Sequence, residues 1–86
     1  MDRPKSVIVT WLDADWDTSE FVTAAQVERK PIVELETVGF LVTETDAYIA
    51  VGSERDPVDG SFRGVTRILL ANVVRVEEAR GWAARK

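Results

Sequence analysis

Residues 33–53, VELETVGFLVTETDAYIAVGS, hold two strand-like runs that meet at a tight turn. In the first run Val33, Leu35 and Thr37 share one face. Val38, Phe40 and Val42 then carry the apolar pattern in the opposite phase. Strand side chains alternate, so a one-residue slip moves every later side chain to the other face. A bend or bulge beside Gly39 would keep both halves buried, because glycine tolerates the backbone that a bend needs. The pattern therefore predicts a long strand over 32–44, bent at Gly39, with Phe40 filling the core after the bend. Thr45 and Asp46 supply the turn, and Ala47 to Ser53 run back as the next strand. A long bent strand serves both halves of a curled sheet, which is how small barrels close.

Toward the N-terminus, residues 7–12 (VIVTWL) are a β-branched and aromatic run with two apolar faces, as expected of a strand covered on both sides. Residues 13–17 (DADWD) break it. Thr18 or Ser19 then offers an N-cap, with Glu20 in the first turn. The spacing of Phe21, Ala24, Ala25 and Glu28 suits a short helix that ends at Lys30, before Pro31. Toward the C-terminus, residues 54–64 (ERDPVDGSFRG) are loop chemistry: Asp56-Pro57 starts a turn and Asp59-Gly60 favours positive φ. Val65 to Leu70 read as a fourth strand, Ala71-Asn72 as a tight turn, and Val73 to Glu77 as a last strand with Val74 and Val76 facing in. The expected fold is mainly β with one short helix: a five-stranded small barrel over residues 1–78, the helix inserted between strands 1 and 2. A basic tail, 79–86, follows.

An 86-residue chain has room for one modest core. Its 45% apolar and 30% charged residues are those of an ordinary globular domain. No apolar run approaches the roughly 20 residues that span a bilayer, and the apolar stretch after Lys5 ends too soon at Asp13 for a signal peptide. The absence of cysteine removes disulfides and thiolate chemistry and fits a cytoplasmic protein. The absence of histidine removes Ser-His and Cys-His catalysis and His-ligated zinc. An enzyme is not expected, nor is a cofactor. The net charge of −4 conceals a division: residues 1–60 hold 13 acidic and 5 basic residues, and residues 61–86 hold 2 acidic and 6 basic. Such asymmetry marks an anion-binding face or two halves that attract each other.

Residues 39–77 resemble the Sm-like variety of the SH3-like small barrels. Gly39 through Val51 (GFLVTETDAYIAV) is similar to the family's first motif, with its glycine-entered bent strand, acidic turn residue (Asp46) and alternating apolar strand. Ile68 through Val76 (ILLANVVRV) is similar to the second, in which one tight turn through asparagine joins two apolar strands. Small uncharacterised bacterial and phage proteins of this type are similar over the same region, and that resemblance implies a phage-encoded protein. RNA-binding Sm proteins carry an asparagine where this chain has Ala50, and an arginine-glycine pair where it has Leu69 and Leu70. Those positions hold base and phosphate, so the resemblance implies the barrel more than the RNA function. The helix also follows the first strand here, whereas the Sm pattern places it before.

Asp13, Asp15 and Asp17 have the i, i+2, i+4 spacing of a calcium loop, but Thr18 and Ala24 stand where that loop needs glycine and glutamate. A solvated rim of carboxylates is the expected reading, with no metal. Arg63, Arg67 and Arg75 fall on the last two strands and Arg80 in the tail, with Arg67 and Arg75 expected to point outward. With Tyr48 or Trp82 as stacking platforms these residues would make a nucleic-acid face, although the chain is acidic overall. Trp11 is expected in the core and Trp16 against the helix. Trp82 lies in an Ala/Arg tail and needs cover from the barrel, a partner or a second subunit. Tyr48, Arg63, Arg67, Arg75, Arg80 and Trp82 are therefore the candidate partner-binding residues.

The expected function is a non-catalytic interaction module, an oligomeric small barrel that binds a protein partner or itself, with no membrane partner. The alternatives are an Sm-like nucleic-acid binder using the arginines of 63–86, and a protein that sequesters a nucleotide or small molecule.

Overall fold

A computed structural model of the chain describes residues 3–13 and 21–79. Five strands form one antiparallel sheet: β1 (Ser6–Asp13), β2 (Val33–Glu44), β3 (Tyr48–Arg55), β4 (Phe62–Leu69) and β5 (Val73–Glu78). One short helix, α1 (Ala24–Arg29), lies between β1 and β2, and a single 3-10 turn (Leu70–Asn72) joins β4 to β5. The spatial order is β4-β3-β2-β1-β5, so the last strand returns beside the first. The mainly-β class, the five strands and the helix placement all agree with the sequence pattern.

The turns follow from local chemistry. Thr45 Oγ1 accepts hydrogen bonds from the Ala47 and Tyr48 amides, both at 3.0 Å, and so fixes the β2–β3 turn. In the β3–β4 loop Asp56 and Asp59 side chains accept from the Val58 and Ser61 amides, and Gly60 takes φ 79°. Strand β4 begins three residues earlier than the apolar run at Val65 suggested, because Phe62 and Arg63 already pair with Arg55 and Glu54.

Strand β2 is long, as expected, but it does not change phase at Gly39. Its register with β1 runs unbroken from Asp13↔Val33 to Ser6↔Phe40. The irregularity lies between Leu41 and Thr43 in the pairing with β3, where Val42 is the extra residue. Gly39 serves a different need. A Cβ built there would stand 2.4 Å from the Gly52 carbonyl oxygen and 2.9 Å from Val51 Cγ1. The glycine lets the β3 backbone cross close to β2.

The main apolar cluster lies on one face, while Thr10 and Ala50 are buried on the other. Val7, Val9, Ile49, Val51 and Ile68 are buried together, with Trp11, Leu41, Leu70 and Val73 packed against them. Trp11 is half-buried there and donates from Nε1 to Thr37 Oγ1 at 2.9 Å. Phe40 is not in this cluster. Without a phase change it alternates onto the opposite face with Glu34, Glu36 and Val38, and its ring meets Phe62 at 6.4 Å between centroids. In β5 a register shift between Thr10 and Trp11 pairs Trp11 with Val73. Val73 packs on the core in place of Val74, which is 46% exposed. Val76 pairs with Val9 on the core face and is 44% exposed.

Helix α1 is shorter than expected. Its N-cap is Thr23, whose Oγ1 accepts from the Gln26 amide at 3.2 Å while Gln26 Oε1 accepts from the Thr23 amide at 2.8 Å. This reciprocal capping box sets the start of α1. The candidate caps Thr18 and Ser19, together with Asp15, Trp16 and Asp17, lie outside the described residues. No residue of α1 is buried.

Candidate functional site

Alternation along β3 and β4 places Tyr48 and Arg67 on the sheet face away from the core, where Tyr48 pairs with Leu69 and Ala50 with Arg67. The Arg67 guanidinium carbon sits 5.4 Å from the Tyr48 ring centroid, within cation–π range. Arg67 and Arg75 are both exposed, as their outward phase implies. Arg63 Nε donates to Glu54 Oε1 at 2.8 Å, and Arg75 Nε to Glu77 Oε1 at 3.2 Å. Arg63 and Arg67 thus occupy one edge strand and Arg75 the other, so the sheet order does not gather the three into one ladder. Two of the three already hold a carboxylate. Arg80 and Trp82 lie outside the described residues.

The Arg63 contact leaves a titration signature. Its hydrogen bond, and then its charge, hold the Glu54 carboxyl below its ordinary value and raise the Arg63 guanidinium correspondingly. Asp59 is likewise held low, first by the Ser61 hydroxyl and then by the Ser61 amide. Both carboxylates are on the surface and have the partners of a turn and a hairpin. A polar cleft of about 300 Å³ between Glu54, Arg55, Asp56, Ser61, Phe62 and Arg63 accompanies them. Among the described residues no three metal-ligating side chains come together. Asp13 ends β1, with Asp15 and Asp17 outside the description.

The apolar surface is the feature that the sequence pattern did not anticipate. Phe21 is 108% exposed, Ile32 60%, Val38 61% and Leu69 59%, against six buried apolar residues among those described. Among the described residues, six of the thirteen exposed large apolar side chains fall in one stretch. From Phe21 through Glu36 every residue is exposed, including Val22, Val27, Val33 and Leu35. Elsewhere on the sheet, Ile8, Val38 and Phe40 line an apolar groove of about 330 Å³. Exposed apolar side chains of this number are the candidates for an interaction surface. The sequence signal was present in the apolar density of 21–35, but its spacing also satisfies a helix packed on its own sheet.

No family model, curated protein or solved structure matches the chain.

Proposed function

We propose that this protein is a non-catalytic interaction module, an open small barrel of the SH3-like kind that binds a protein surface through the exposed apolar side chains of 21–36 and the groove at Ile8, Val38 and Phe40. The exposed apolar side chains of this arm, Phe21 and Ile32 above all, carry this reading. Barrel-like curling is supported by the core itself. Ile68 from one edge strand and Val73 from the other join one cluster, whereas the edges of a flat five-stranded sheet stand about 19 Å apart. An apolar partner would bury side chains that now cost free energy in water, at about 25 cal/mol per Å². Bis-ANS fluorescence tests the reading. The native protein should bind the dye, and Phe21→Ser combined with Val38→Ser should abolish most of the signal. Absence of dye binding by the native protein would remove the reading.

A second reading, single-stranded nucleic acid on the Tyr48–Arg67 pair, has one observation in its favour, the cation–π geometry that also stacks bases. Binding of that kind must weaken with salt by about 0.7 log units per phosphate contact per log unit of salt. A titration at low salt with no binding would discard it. No helix among the described residues is long and apolar enough to cross a membrane.

A further inference from the structure

We infer that the groove at Ile8, Val38 and Phe40 is the docking surface for the chain's own segment 80–86, with the Trp82 indole as the side chain it takes. This rests on the interaction-module reading above and names what its groove recognises, an aromatic side chain among basic residues. The first observation is where the chain leaves the sheet. Ala79 itself lines the groove, together with Ser6, Ile8, Val38 and Phe40. The Ala79 amide donates to the Ser6 carbonyl at 2.8 Å, and Ser6 pairs with Phe40, so β5, β1 and β2 stand side by side here. Neighbouring strands are about 4.8 Å apart, which puts Phe40 about 10 Å from Ala79. Trp82 is three residues on, and three extended residues span about the same 10 Å. Gly81, just before it, lets the chain turn over the face without a side chain in the way.

The second observation separates this segment from every other cover. Strand β1 runs from Ser6 at the groove to Asp13, and β2 starts at Val33 opposite Asp13. Residues 14–20 therefore leave the sheet at its far end, roughly 23 Å from Ser6 along the strand. Ala14 and Trp16 are their only apolar residues, and three residues beyond Asp13 cannot bring Trp16 back over that distance. Met1 and Asp2 carry no aromatic group, and no residue of the arm lines the groove. A separate molecule meets a different obstacle. A short tether holds its ligand at an effective concentration in the millimolar range, and a free segment of equal affinity must reach that concentration to displace it.

The third observation is charge. Residues 80–86 contain Arg80, Arg85 and Lys86 and no acid. On the groove's face Glu77 stands across from Ile8, and Glu36 is one alternation from Val38. Both carboxylates are exposed. An indole in the groove buries the largest apolar side chain of the segment and brings its cations beside these carboxylates.

Methyl NMR of the full chain tests this. Val38 is 61% exposed, so its methyls report on whatever covers them. The Trp82 indole should give NOEs to the Ile8 and Val38 methyls, and its ring current should displace the Val38 resonances. Trp82→Ala, outside the five strands, should remove that displacement. Native protein without these NOEs, or Val38 resonances that Trp82→Ala leaves unmoved, would overturn the contact. In a mixture of labelled and unlabelled protein, NOEs confined to single copies support the tether. NOEs between copies would overturn it and give the groove to a neighbour's segment. Native protein that binds bis-ANS but shows no Trp82 NOEs loses this inference and keeps the interaction module. Protein that shows the NOEs but binds no dye keeps the contact and loses the module.

Discussion

Replacement of Gly39 by alanine is the sharpest probe of the fold. In an open strand the change stabilises by about 0.4–1 kcal/mol, because alanine restricts the unfolded chain. Here the new methyl would stand 2.4 Å from the Gly52 carbonyl oxygen, an ångström inside ordinary van der Waals contact, and 2.9 Å from Val51 Cγ1. The first obstacle is backbone, so β2 and β3 must part at the place where Val51 enters the core. Overpacking of this kind costs about 1–3 kcal/mol, and a clash with backbone belongs at the upper end. The expected net loss is about 2–3 kcal/mol. In a domain of this size that lowers the melting temperature by roughly 10–20 °C. Urea unfolding should show a lower midpoint with an unchanged slope. Gly52→Ala is the control, because its nearest neighbours are Phe62 and Val42 side-chain atoms at 3.2 Å, which can yield. A Gly39→Ala protein as stable as the parent, or more so, would refute the close crossing of β2 and β3.

Phe40→Ala should cost only about 1–2 kcal/mol, since Phe40 packs on Phe62 away from the core, and a loss of ~4 kcal/mol in urea melts would return it to the interior. Thr10 is fully buried and its Oγ1 has no hydrogen-bond partner, so Thr10→Val should stabilise by about 1 kcal/mol, and a destabilised variant would mean that the hydroxyl is satisfied. Glu54 and Asp59 have lowered folded-state values. Whatever stability they contribute is therefore present above the ordinary carboxylate range and lost as pH falls through the depressed values. Carboxyl chemical shifts should place both midpoints below those of ordinary carboxylates. Arg63→Ala should return Glu54 alone toward its ordinary value.

The strands and turns were legible because their signals are local. The β-branched run at 7–12, the Thr45-Asp46 turn and the Asp59-Gly60 turn each carry their own chemistry within a few residues. Gly39 and Phe40 were not legible. The need for glycine comes from the β3 backbone thirteen residues away, which a phase argument along β2 cannot see. An interruption of the apolar alternation looks the same whether the strand bends or simply shows apolar residues on two faces. Val74 was misplaced for a related reason, since the shift opposite Trp11 moves Val73 to the core. The start of α1 rests on the capping box between Thr23 and Gln26, which the apolar spacing of 21–28 does not reveal. Of the candidate binding residues, the pairing of Arg67 with Tyr48 follows from strand alternation. The exposed arm does not, because apolar spacing announces burial without saying against which molecule.

The most direct measurement is the absolute mass by light scattering across a concentration series. An oligomeric module predicts a mass above 9.6 kDa that rises with concentration. A mass fixed at 9.6 kDa up to millimolar protein would contradict it.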